Sequence, residues 1–133
     1  MSLKHKFIIR GNQEDEEICA CISDDLLHYF YDTFQWIQSD WGGKKTKQGL
    51  PYYGFSVIKG DNIIKISDIL KKWIELFAIA PEEFSLTGNY LIADDKYERI
   101  FVNKKEAIRS LTSLVSLLEK GVNNDLEIIY EGL

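Results

Sequence analysis

The run from Asn103 to Gly121 constrains this chain more than any other. Ala107, Ile108, Leu111, Leu114, Val115 and Leu118 recur at the spacing that gathers apolar groups on one side of a helix. Asn103 can cap the first turn, and Glu106 stands three residues on, as a capping box requires. Gly121 is placed to end the helix in a left-handed conformation. A helix apolar on one side must lay that side on a partner. The flanking segments, Tyr97 to Val102 and Leu126 to Tyr130, have the short apolar and β-branched character of strands.

The rest of the chain repeats this interleaving. His5 to Arg10 and Ile18 to Ile22 read as strands, separated by a Gly11-Asn12 turn and by Glu14-Asp15-Glu16-Glu17, a solvated acidic turn. Ser23-Asp24-Asp25 opens a helix whose stripe is Leu26, Leu27, Phe30, Phe34 and Ile37, and which runs on to Trp41-Gly42-Gly43. Tyr52 to Ile58 alternates as a strand, and Lys59 to Asn62 is a turn. Ile63 to Ile66 is either a hairpin partner or an extended lead into a helix capped by Ser67-Asp68. That helix carries Ile69, Leu70, Trp73, Leu76 and Phe77 and stops before Pro81. Phe84 to Ile92, bulged at Gly88, forms a hairpin with Tyr97 to Val102 across an Asp94-Asp95-Lys96 turn. These elements predict one α+β domain over residues 1–133, with an antiparallel or mixed sheet of about five to seven strands packed against three helices.

Composition narrows the function classes. Asp and Glu number 21 against 16 Lys and Arg, a net charge of −5 that disfavours general nucleic-acid binding and leaves room for a basic partner. No apolar run approaches the roughly 20 residues that span a bilayer, and the basic start is followed only by Phe7-Ile8-Ile9. A cytoplasmic protein with no membrane partner is therefore expected. Cys19 and Cys21 share one face of a strand and are expected to be reduced, buried thiols, since a disulfide between such near neighbours is strained.

No catalytic or metal-binding constellation stands out, and no cofactor motif is present. Lys44, Lys45 and Lys47 follow Gly42-Gly43, but a phosphate-binding loop needs Gly-x-x-x-x-Gly-Lys with Ser or Thr next, whereas Gln38 and Lys45 hold those places. His5 falls in the start of the chain, expected to be flexible. His28 falls opposite its helix's apolar stripe, and neither has a nucleophile beside it. Asp24-Asp25 and Asp94-Asp95 suit capping and turn roles. A non-catalytic binding role fits better, and aromatics are its natural anchors. Tyr29 and Trp36 project beside the first helix's stripe with Asp32 near them, as a partner patch of two aromatics and an acid or as the edge of a wide buried face. Trp41, Tyr52 and Tyr53 border the glycine and lysine segment, so these five are the candidate partner-binding residues. The alternative is a small-molecule or regulatory domain with an apolar pocket beneath residues 36–54.

Size, acidity and element order, with Phe34-Gln35-Trp36, Tyr52-Tyr53-Gly54-Phe55 and Trp73, give the chain a resemblance to the small α+β immunity proteins that bacteria pair with secreted polymorphic toxins. The resemblance implies a cytoplasmic protein that binds and blocks a cognate toxin and does no chemistry of its own. Lys44, Lys45 and Lys47 depart from a purely acidic inhibitory surface.

Overall fold

The computed structural model describes residues 3–10 and 18–133. The turn read at Gly11-Asn12 and the acidic run Glu14 to Glu17 lie outside them. Strands β1 (Lys4–Arg10) and β2 (Cys19–Ser23) lead into helix α1 (Asp24–Phe34). Strands β3 (Gln38–Trp41), β4 (Lys45–Gln48) and β5 (Phe55–Ile58) precede α2 (Asp61–Ala78). Strands β6 (Glu83–Leu91) and β7 (Lys96–Asn103), joined by a short 3₁₀ turn, precede α3 (Lys104–Asn123) and β8 (Glu127–Glu131). Six strands form one antiparallel sheet in the order β2-β1-β8-β5-β3-β4, and β6 and β7 form a separate ribbon. The fold is α+β, with the sheet antiparallel throughout.

Register decides which side of the sheet is covered. Phe7 pairs with Tyr130 and with Ala20, Ser56 with Tyr130, and Ile58 with Ile128, and all of these are buried. The intervening residues Cys19, Cys21, Lys6, Ile8, Ile129 and Phe55 point to the opposite face and stay exposed or half-buried. Helices α1 and α3 lie on the buried side, α2 packs along α3, and the ribbon reaches back to both α1 and α3. One continuous apolar core, with Phe7, Phe30, Phe34, Leu70, Leu111 and Leu118 at its centre, ties the layers together.

Helix α3 begins as its sequence requires, with Glu106 N–H donating to Asn103 Oδ1 at 3.1 Å. Its end differs. Gly121 lies inside the helix, buried against Ile128, and the left-handed residue is Asp125 at φ 53°. A side chain at position 121 would strike the Ile128 side chain, so the glycine serves close packing rather than chain reversal.

Four other expectations are corrected. Helix α1 stops at Phe34, and residues 38–41 turn away to pair with β4 and β5, so the glycine and lysine segment is the β3–β4 hairpin and not a loop. Residues 52–54 are not strand. Gly54 takes φ 87°, and the C-terminus closes on this segment through Leu133 N–H to the Tyr52 carbonyl at 2.9 Å. Helix α2 begins at Asp61, and Ile63 and Ile66 continue the buried stripe through Ile69 and Leu70. Burial outweighs their β preference, and Ser67 sits mid-helix instead of capping it. Cys19 and Cys21 are exposed, because Ala20 and Ile22 take the inward positions of β2.

Candidate functional site

Helix α1 stands as a rib between two concave surfaces. Ser23 caps it, its Oγ accepting from Leu26 N–H at 3.3 Å. With Leu26, Leu27, Phe30 and Phe34 buried beneath, two flanks remain. Asp25, His28 and Asp32 recur at three and four residues along one, and Tyr29, Thr33 and Trp36 along the other.

The first flank borders an open cleft of about 590 Å³. Asp24, Asp25, His28, Tyr31 and Asp32 of α1 line one side with Tyr52, and Asn89, Glu98 and Ile100 of the ribbon line the other. The cleft thus has four carboxyl groups. Among the described residues, no Lys or Arg forms an ion pair with any of them. Three of the four, Asp25, Asp32 and Glu98, also lie outside the His5–Asp24 contact, so acidic groups gather in a concave site, where a field is focused.

The floor of this cleft is anchored by His5, which is 0% exposed and was expected in a flexible start. Its position on β1 points it inward beside Phe7, into the space between β8 and the start of α1. Nε2 lies 2.8 Å from Asp24 Oδ1 and Nδ1 2.7 Å from the Tyr130 hydroxyl. A carboxylate only accepts, so Nε2 carries the hydrogen, and in a neutral ring Nδ1 accepts from Tyr130. Tyr52 donates its hydroxyl to the same Asp24 oxygen, and Tyr31 donates to the Leu50 carbonyl. The His5 ring stacks on Tyr130 and meets the edge of Tyr52. Burial pushes the Asp24 carboxyl up, but the hydrogen bonds from His5 and Tyr52 and the two nearby histidines outweigh it, and the net shift is down. Burial, reinforced by the Asp24 hydrogen bond, drives Tyr52 well above the ordinary phenol range, and Tyr130 rises mainly through burial. Both phenols therefore stay protonated at neutral pH.

The second flank borders a groove of about 390 Å³ between α1 and α2. Trp36, Ile69, Trp73 and Leu76 make its apolar surface, and Lys65, Asp68 and Lys72 stand at its rim. Trp73 is fixed there by a 3.2 Å hydrogen bond from Nε1 to Thr33 Oγ1 and by packing on Phe30 and Phe77. Trp36 is 60% exposed, and Tyr29, also exposed, presents its ring at 5.8 Å to Trp73.

The five candidate aromatics are therefore not one patch. Trp36 lines the apolar groove, and Tyr29 does not line it but packs its ring against Trp73, which does. Tyr52 lines the acidic cleft, with Tyr53 72% exposed beside it. Trp41 is separate: its indole N–H donates to the Gly49 carbonyl at 3.0 Å, and Lys47 Nζ lies 5.1 Å from its ring centroid. The Tyr52 cleft is polar, and neither Trp41 nor Tyr53 lines it. Asp94 and Asp95 sit at the ribbon turn, where Asp95 accepts from the Tyr90 hydroxyl, and they do not line the cleft that His28 lines.

Tyr31 and Glu98 carry no signal in the sequence, Asp25 reads there as a capping residue, and Asp32 reads as a neighbour of Tyr29 and Trp36, whereas it lines the opposite cleft. The 25–28–32 spacing is the signal that groups Asp25 and Asp32 with His28. Nothing local marks His5, whose partner Tyr130 is 125 residues away.

Among the described residues no group of three or more His, Cys, Asp and Glu could hold a metal ion, and no helix is long and apolar enough to cross a membrane. The chain matches no protein-family model, no curated protein and no solved structure.

Proposed function

We propose that this chain is a non-catalytic protein-binding domain of the immunity type, acting in the cytoplasm, which binds a cognate toxin protein and blocks it. The observation that carries this reading is the acidic cleft on one flank of α1, with exposed Trp36 over an apolar groove on the other. A basic segment of the partner enters the cleft, attracted by Asp25, Asp32 and Glu98, and an apolar side chain of the partner seats against Trp36. His5 and Tyr130 hold Asp24 and Tyr52 in place beneath, so the cleft meets its partner preorganised. The chain contributes surface and charge and takes part in no bond-making step.

The test is co-expression with the protein encoded beside it. Co-purification as a stable complex and rescue of the host from the neighbour's toxicity are the expected results. No complex and no protection would overturn the reading.

The volume and apolar lining of the Trp36 groove also favour a second reading, a site for a small apolar ligand. A small-molecule screen by Trp fluorescence separates the two. A bound ligand insensitive to charge reversal at Asp32 supports the second reading, and a protein partner sensitive to it supports the first.

A further inference from the structure

Strand β2 lies at the edge of the sheet, and among the described residues it pairs with β1 alone. Its alternation sends Ala20 and Ile22 into the core and leaves Cys19 and Cys21 on the open face, both free and both exposed. Strand geometry sets their Cα atoms about 6.7 Å apart with parallel Cβ directions. A direct disulfide needs sulfurs about 2.05 Å apart and Cβ atoms near 3.8 Å, which this strand does not allow without distortion. An atom that bridges the sulfurs has a different requirement. With metal–thiolate bonds of about 2.3 Å, a linear S–M–S unit spans about 4.6 Å, which the two side chains reach by leaning toward each other.

We propose that Cys19 and Cys21 form a two-thiolate site for a soft d¹⁰ cation, of which the cuprous ion is the representative. Thiolates select soft ions. Among the described residues no third His, Cys, Asp or Glu forms a metal-holding group with these two, and a pair of thiolates suits linear coordination rather than a tetrahedral zinc site. Binding is an exchange without redox: two thiols release two protons, and the cation forms two sulfur bonds, leaving one net negative charge. Lys6, the cross-strand neighbour of Cys21 on the same face, lies close to that charge, and Ile8 flanks Cys19. The site is on the sheet face away from the helices and is independent of the binding surface on α1.

The experiment titrates the reduced full-length chain with Cu(I) under anaerobic conditions against a chromogenic Cu(I) chelator. One ion per chain is expected, with two sulfur neighbours by X-ray absorption. Cys19→Ser and Cys21→Ser are each expected to lower affinity ~100-fold or more, since each leaves a single thiol where two acted together. Both side chains are exposed, so the variants should retain the circular dichroism of the parent. Failure to compete with the chelator, a single-Ser variant that binds as tightly as the parent, or half an ion per chain bridging two copies would overturn the proposal.

Discussion

His5 Nε2 lies 2.8 Å from Asp24 Oδ1, so the first strand is fastened to the first turn of α1 beneath the acidic cleft. The imidazole is sealed from solvent, and its other nitrogen is held by Tyr130 on β8. Tyr130→Phe removes the hydroxyl and leaves Nδ1 buried without a donor. A loss of about 1–3 kcal/mol is expected, read from urea denaturation. An unchanged midpoint would mean that the Tyr130 hydroxyl contributes nothing to the network.

Acid unfolding should report Asp24. Its folded carboxyl titrates below the ordinary range, so its stabilising contribution is complete above about pH 4 and is lost as pH falls through the folded value. Tyr52→Phe removes one of the hydrogen bonds that lowers it, and the acid limb of the stability profile should move to higher pH. An acid limb that stays in place in this variant would show that Tyr52 does not hold the carboxylate.

Ser67 gives a stability prediction of opposite sign. Its hydroxyl is buried in the middle of α2 with no hydrogen-bond partner among the described residues. Ser67→Ala removes an unsatisfied group and improves helix propensity, so a gain of about 0.5–1 kcal/mol is expected in thermal or urea melts. A loss of stability would show that the hydroxyl is bonded in solution.

Much of the fold could be read from local pattern. The Asn103 cap, the α3 stripe and the ribbon bulge near Gly88 each depend on residues close in sequence. The misread boundaries share a cause. Ile63 and Ile66 look like strand until α2 is seen to bury them, and Gln38 to Trp41 look like a helix end until β5 is present to pair with them. Tertiary burial and pairing overrode propensity in both places. The site was legible only in part. Trp36 and Tyr52 stood out as aromatics, but Asp24 read only as a helix-start residue and His5 as a loose terminus. The relation between those two is made by the fold, since they stand 19 positions apart in the chain.

Trp36→Ala separates interface from scaffold. The ring is mostly exposed, so the melting temperature should change little, while partner binding should weaken by more than about 1 kcal/mol. Unchanged affinity would remove the apolar groove from the binding surface.

Charge in the cleft is the central claim, and one titration addresses it most directly. Calorimetry compares the parent with the Asp32→Lys, Glu98→Lys double variant, each against the protein encoded beside this chain, at low and high salt. Neither side chain takes part in the His5, Tyr130, Asp24 and Tyr52 hydrogen bonds, so stability should hold. The account predicts tight binding by the parent that weakens with salt, and a loss of ~100-fold or more in the variant with little salt dependence left. Equal affinity for parent and variant at both salt concentrations would contradict it.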